Sequence, residues 1–246
     1  MFIALWRSYA QYFSLLIYTT SQLLYKTDKQ PLYFSFNIMD PRFKHPFTGV
    51  LAGPTGSGKT VFIQKLLLNI KSLVTPVPET ILVCYGEWQP AYNEIKDYNL
   101  NIEFIEGLPD LDGLVAGEPK LIIIDDLMGE TNDQITRLFT KGSHHKNLSV
   151  IHIVQNLFSK NKEQRTINLN CHYMVLFKNP RDSSQIIHLA KQMYPRNVHF
   201  MQEAYKLATA EPFSYLLVDL KQDTPENLRL RADIFQPTQT VYVPRK

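Results

Sequence analysis

The sequence predicts an α/β fold, a three-layer sandwich in which helices cover both faces of a mostly parallel sheet. Three observations carry that expectation. Short, continuous apolar runs alternate with stretches of helical spacing from Phe47 onward. The glycine-rich stretch "GPTGSGKT" at 53–60 lies between one such run and one such helix. The run "KLIIIDDLM" at 120–128 stays apolar and β-branched until it ends in two acids.

The chain opens with "MFIALWRSYAQYFSLLIYTTSQLLY". Its charge-free run from Ser8 to Tyr25 is 18 residues long, enough to raise the question of a membrane span. Seven of those residues are Ser, Gln or Thr, and Arg7 interrupts the apolar start, which argues against one. There is no basic leader or small-residue cleavage site either. Residues 1–35 are therefore set apart as an extension or peripheral helix, and 36–246 as one domain.

Within that domain "FTGVLAG" is a strand feeding the glycine turn, and "TVFIQKLLLNI" a helix with Phe62, Leu66 and Ile70 on one face. Pro76 and Pro78 end this unit. "TILVCYG" (80–86) reads as a buried strand, "QPAYNEIKDY" as a short helix, and "IEFIEGL" (102–108) as a strand closed by Pro109. "DQITRLFTKGS" (133–143) is helical up to Gly142; "LSVIHIVQN" (148–156) and "HYMVLFKN" (172–179) are strands. Asp182 and Ser183 are cap candidates for "SQIIHLAKQMY", which Pro195 ends. A further helix, "NVHFMQEAYKLATA", precedes a closing strand pair, "SYLLVDL" and "LRLRADIF".

Gly53-Pro54-Thr55-Gly56-Ser57-Gly58-Lys59-Thr60 matches the phosphate-loop pattern G-x-x-x-x-G-K-[ST] in full. Glycines let the backbone turn its N–H groups toward phosphate oxygens, and the helix N-terminus adds its dipole. Lys59 is placed to reach the β- and γ-phosphates of ATP, and Thr60 to put its hydroxyl on Mg²⁺. Asp125 ends a strand where a carboxylate holds the Mg²⁺ shell, and Asp126 can orient or deprotonate water. Gln155 ends another strand at the edge where the phosphates sit, so its amide can touch both γ-phosphate and water. A GTPase would carry N-K-x-D, and "NKEQ" (161–164) lacks the acid; the transporter signature L-S-G-G-Q is absent.

Charge is unevenly spread. From Glu79 to Glu130 twelve acids face two bases, whereas from Arg137 to Arg196 ten Lys or Arg face two acids. A basic segment of that length reads either as a polyanion footprint or as a solvated surface. The two cysteines, Cys84 and Cys171, sit in apolar runs, as buried free thiols of a reducing compartment do. No Cys and His spacing suits a metal. Tyr85 and Trp88 are either core aromatics or stacking surfaces for nucleotide or DNA.

Together "RFKHPFTGVLAGPTGSGKT", "LIIIDDLM", "GSHHKNLSVIHIVQNLF", "NCHYMVLFKNPRDSSQI" and "YLLVDLKQDTPENLRLRADIF" resemble the genome-packaging ATPases of Polinton (Maverick) elements and adintoviruses. These are relatives of the poxvirus-type packaging ATPases within the FtsK/HerA group of DNA-pumping motors. The resemblance spans about residues 42–243. It implies a P-loop NTPase of the RecA/FtsK-like, additional-strand catalytic-glutamate type that forms a homo-oligomeric ring. Such a ring threads double-stranded DNA into a capsid, with capsid proteins as further partners, in a virion or in the host nucleus or cytoplasm. By position Lys59 and Thr60 are Walker A, Asp125 and Asp126 are Walker B, and Gln155 is the polar sensor. Such motors complete each site with an arginine from the neighbouring subunit. Here "SHHKN" offers Lys146 in that place, with Arg137 and Arg165 as alternatives, and Lys cannot fork onto two oxygens as Arg does. His144 and His145 read as surface residues. Two other functions stay open: a nucleotide-dependent interaction protein that does not pump, and a small-molecule kinase, for which no acceptor pocket or arginine-rich lid is recognisable.

Overall fold

The computed structural model describes residues 14–19, 22–27, 30–33, 40–110, 113, 117–125, 127, 132–142, 146–158 and 162–244. They form two compact units: residues 41–180, and the residues up to 40 together with those from 181 onward.

Strands β1 (Ser14–Thr19), β2 (Gln22–Thr27) and β3 (Gln30–Tyr33) come first. The unit of residues 41–180 opens with the short β4 (Phe43–Lys44), then β5 (Thr48–Ala52), α1 (Lys59–Leu68), α2 (Ile70–Leu73) and the short β6 (Val74–Thr75). It continues with β7 (Thr80–Tyr85), α3 (Ala91–Lys96), β8 (Ile102–Glu106), β9 (Lys120–Asp125) and α4 (Asn132–Arg137). The last of these runs into a π-helical turn (Leu138–Gly142), followed by β10 (Leu148–Val154), α5 (Lys162–Leu169) and β11 (Tyr173–Phe177). The other unit then takes α6 (Ser184–Met193), α7 (Val198–Ala208), β12 (Tyr215–Asp219), β13 (Leu230–Ala232) and β14 (Gln239–Val243).

In residues 41–180 the strand order is β11-β5-β10-β9-β7-β8, and every pair is parallel. Strands β5, β10 and β11 are buried at every position. Continuous apolar runs of that kind are stable only where both sheet faces are covered. Register and alternation assign the faces. Val175, Leu51, Ile153 and Asp125 lie in one row, so Phe177 and Asp125 share a face. Phe62 of α1 meets Phe177 edge-on at 6.1 Å, and Tyr92 of α3 bonds Asp125, so both helices cover that side. His152, in the row of Val50 and Ile124, points the other way, where Phe139 of the π-helical turn lies 6.4 Å from it. The predicted three-layer α/β arrangement is therefore present in this unit. Helix α5 is an element that the apolar pattern does not predict; its residues are mostly polar, and Ile167 and Asn168 are its buried ones.

The second unit departs from expectation. Strand β12 pairs antiparallel with β13, as expected, but β13 continues antiparallel to β14, and β14 to β1, β1 to β2 and β2 to β3. Of residues 1–35, set apart as an extension or a peripheral helix, the described stretches are the strands β1, β2 and β3 and not helix. The partner that ties β1 to the rest of the unit, β14, lies more than two hundred residues away (Leu15 opposite Tyr242), beyond the reach of any local pattern. The closing "pair" is thus the start of a larger antiparallel array. Among the described residues no helix is long and apolar enough to cross a membrane. Of the two expected caps on α6, Asp182 acts: its Oδ1 accepts from the Ser184 amide at 3.1 Å, while the Ser183 side chain makes no cap bond. Asn197 caps α7 through the Phe200 amide. Inside this unit Arg231 and Asp219 form a buried ion pair at 2.9 Å. The Asp219 carboxylate also accepts from Thr224 Oγ1 at 2.8 Å and the Lys221 amide at 3.1 Å, so the desolvated charge is well satisfied.

Cys84 and Cys171 are both free and buried, and burial pushes each thiol up to about 12. His172, beside Cys171, turns to the backbone instead: its Nδ1 accepts from the Thr48 amide at 3.0 Å.

His152 gives the fold a pH dependence. It is 5% exposed, and its Nδ1 has no hydrogen-bond partner. Burial pushes its pKa down to about 4, whereas in the unfolded chain it titrates near 6.5. The unfolded chain therefore binds the proton first as pH falls, so this contribution is complete above about pH 6.5 and is lost on the way to pH 4. The full loss is on the order of 3 kcal/mol. We expect His152→Leu to flatten this slope, measured as the difference between denaturation midpoints at neutral pH and near pH 4.5.

Candidate nucleotide site

The loop 53–58 leaves β5 at the C-terminal edge of the parallel sheet, the edge where α/β proteins bind ligands. The Gly53 amide donates to the Val154 carbonyl at 3.2 Å, which ties the loop's first residue to the end of β10. A side chain at Gly53 has no room, since a Cβ there would lie 2.7 Å from both Phe177 Cβ and Ser57 Oγ. Gly56 and Gly58 have φ of 76° and 103°, in the left-handed region that favours glycine. The Ser57 amide closes the turn onto the Pro54 carbonyl at 3.2 Å.

Helix α1 begins at Lys59 with no acid in its first turn, so its own side chains leave the positive end of its dipole uncompensated. The Lys59 ammonium donates to the Gly53 carbonyl at 2.6 Å and the Pro54 carbonyl at 2.9 Å, folded over the loop. The Ser57 hydroxyl is buried in the loop without a hydrogen-bond partner. A buried orphan hydroxyl in the loop that opens a helix N-terminus fits an anion such as the phosphate tail of ATP.

The Thr60 hydroxyl and the Asp125 carboxylate, the two expected Mg²⁺ ligands, are linked by one side chain. Thr60 Oγ1 donates to Gln89 Oε1 at 3.3 Å, and Gln89 Nε2 donates to Asp125 Oδ2 at 3.2 Å. The Tyr92 hydroxyl donates to the same Oδ2 at 2.7 Å. Asp125 is 6% exposed and Tyr92 2%. Among the described residues no group of three or more His, Cys, Asp or Glu is arranged to hold a metal ion by itself. A cation at Thr60 and Asp125 would thus draw its other ligands from phosphate and water, as Mg²⁺ commonly does. The residues present fit MgATP on both counts.

The structure brings together residues 53–60, Asp125 and the end of β10. Gln155 follows Val154 directly, is exposed, and so stands beside the start of the loop. Asp126 lies outside the described residues, as do His144 and His145. Lys146 stands just before β10, at the sheet edge opposite the phosphate loop, where the neighbouring Asn147 carbonyl accepts from the Lys120 amide. Arg137 is exposed at the end of α4 and pairs with Asp133 at 3.4 Å; Arg165 is exposed on α5.

Gln89 and Tyr92 were not singled out from the sequence. The available signal was position: "GEWQPAY" directly follows the C-terminal end of β7, on the same edge as the loop. Tyr85 and Trp88, expected to be core or stacking groups, join Tyr92 and Phe104 in one aromatic cluster. Trp88 meets Tyr85 edge-on at 5.2 Å, and the Lys96 ammonium lies 4.2 Å from the Trp88 ring centre.

No family model and no curated protein matches this chain. Among solved structures it is similar to the genome packaging NTPase B204 of Sulfolobus turreted icosahedral virus 2, described in complex with ATP-gammaS. The identity is 13%, the match covers 84% of this chain and 99% of that one, and the TM-score is 0.44. It is also similar to the cytoplasmic domain of EssC, at 12% identity over 72% of this chain and 38% of that one, TM-score 0.43. A third is the cytoplasmic domain of the Thermomonospora curvata type VII secretion ATPase EccC, at 13% over 93% and 28%, TM-score 0.47. Likenesses this distant carry no functional weight, and the α/β assignment stands on the parallel strand order itself.

The packing at Gly53 yields a graded expectation. Gly53→Ala should destabilise by about 1–3 kcal/mol, because Phe177 Cβ is fixed on β11 even though Ser57 Oγ is free to rotate away. Gly49→Ala, whose added carbon would meet neighbours no nearer than 3.7 Å, should cost much less. Chemical denaturation of the two variants measures the difference.

Proposed function

We propose that this chain is an ATP-hydrolysing motor that moves double-stranded DNA, packaging a viral or transposon genome into a capsid as a homo-oligomeric ring. The observation that carries the nucleotide half is the joining of the 53–60 loop to Asp125 through Thr60 and Gln89 at one edge of a parallel sheet. The DNA half rests on the resemblance of the motifs and on the basic run from Arg137 to Arg196.

In this reading the loop amides and the Ser57 hydroxyl hold the phosphate tail. Lys59 swings from the loop carbonyls to the β- and γ-phosphates. Thr60 and Asp125 hold Mg²⁺, which supplies charge neutralisation at the phosphates. Asp126 orients and deprotonates the attacking water, and hydrolysis rather than transfer to a bound acceptor follows. Gln155, one residue past the strand whose end bonds the loop, relays the state of the γ-phosphate to β10. Lys146, Arg137 and Arg165 are the candidates to complete the site of a neighbouring subunit. Lys146, on the far edge of the sheet, can serve only a neighbour's site.

Steady-state hydrolysis of ATP with and without linear duplex DNA tests the reading. We expect stimulation by unrelated duplexes that weakens steeply as salt rises, because phosphate contacts release counterions. Lys59→Ala should remove turnover under both conditions. DNA-indifferent turnover would leave an ATPase without the motor.

The two acids should separate. Asp125→Asn is expected to weaken Mg²⁺-dependent nucleotide binding, while Asp126→Asn keeps binding and loses about 10²–10⁴ in hydrolysis rate. Nucleotide binding and turnover measured in parallel on both variants decide it; wild-type turnover by Asp126→Asn would remove the water-activating role.

A further inference from the structure

Gln89 touches both residues expected to hold the metal, and with opposite poles of one amide. Its carbonyl oxygen takes the Thr60 hydroxyl proton at 3.3 Å, and its NH₂ donates to Asp125 Oδ2 at 3.2 Å. A hydroxyl that donates in one direction turns its lone pairs to the other side, which is the orientation a cation needs. The Asp125 carboxylate is held at the same time by Tyr92, whose hydroxyl reaches Oδ2 at 2.7 Å. Two donors converging on one oxygen set the rotation of the carboxylate. We infer that Gln89 and Tyr92 are positioning residues of the metal–nucleotide site, orienting Thr60 and Asp125 for the divalent cation.

The surroundings favour this role over plain packing. Tyr92 is fully buried, wedged at 5.8 Å from Tyr85, 5.4 Å from Trp88 and 5.7 Å from Phe104, so its hydroxyl has little freedom to point elsewhere. Pro90 separates Gln89 from the first turn of α3 and fixes the backbone between them. The pair thus comes from one rigid corner after β7, while the residues it orients come from α1 and β9. Partners that hold metal ligands in this way typically change metal affinity by about 10–100-fold when lost.

This inference rests on the MgATP reading, and the experiment separates the two. Binding of a fluorescent non-hydrolysable ATP analogue is titrated with Mg²⁺ and, separately, in EDTA, for wild type, Gln89→Met and Tyr92→Phe. Met keeps the length of Gln89 without its hydrogen bonds, and Phe removes one oxygen atom. Both variants should need about 10–100-fold more Mg²⁺ for half-maximal binding while keeping wild-type affinity in EDTA. Thermal melting of the nucleotide-free proteins checks that each variant is folded. A variant whose Mg²⁺ midpoint stays within about two-fold of wild type, or that loses affinity equally in EDTA, overturns the positioning role of that residue. Failure of the wild type itself to bind the analogue overturns the nucleotide reading instead.

Discussion

The hydrogen bond from the Gly53 amide to the Val154 carbonyl ties the first residue of the phosphate loop to the end of the strand beside it. Gly53 must be glycine for this to happen, because the Phe177 and Ser57 side chains occupy the place of a Cβ. From that junction the loop turns back over Lys59 and enters α1, and Thr60 arrives one residue later. Gln155 arrives on the other side of the same bond. The chemistry assigned to three separate stretches of sequence, at 53–60, 125–126 and 155, is thus gathered by the parallel alignment of β5, β9 and β10, which sets all three strand ends on one edge.

The sheet that makes this edge is held by burial on both sides. Phe62 and Tyr92 reach the face that carries Asp125, and Phe139 reaches the face that carries His152. A polar residue pointing to either face needs a partner. Asp125 has Gln89 and Tyr92, while the His152 imidazole remains neutral in an apolar layer at the cost of acid sensitivity.

Much of this was legible in the residues. Most strands of the 41–180 unit are predominantly apolar runs, β8 with its two glutamates being the exception, and the loop between β5 and α1 follows a pattern that few other structures require. What was illegible depends on contacts far apart in sequence. Nothing local in "SLLIYT" says that β14 will lie beside it, so residues 14–33 read as helix or appendage rather than strand. Helix α5 buries Ile167 and Asn168 alone in its length, too little for a clear apolar stripe. Gln89 and Tyr92 were passed over because their partner, Asp125, lies more than thirty residues downstream. The aromatic rings beside them are the more visible feature of that stretch.

Those rings have a use of their own. The chain has two tryptophans, Trp6 and Trp88, and only Trp88 is among the described residues. Its indole is partly exposed and packs edge-on against Tyr92 at 5.4 Å, with the Lys96 charge over its face. Tyr92 in turn grips the carboxylate that Gln89 links to Thr60. Indole emission responds to nearby charge and to the polarity of its surroundings. Trp88 is therefore an optical probe one side chain away from the candidate site, and a change of charge there would reach its emission without any added label.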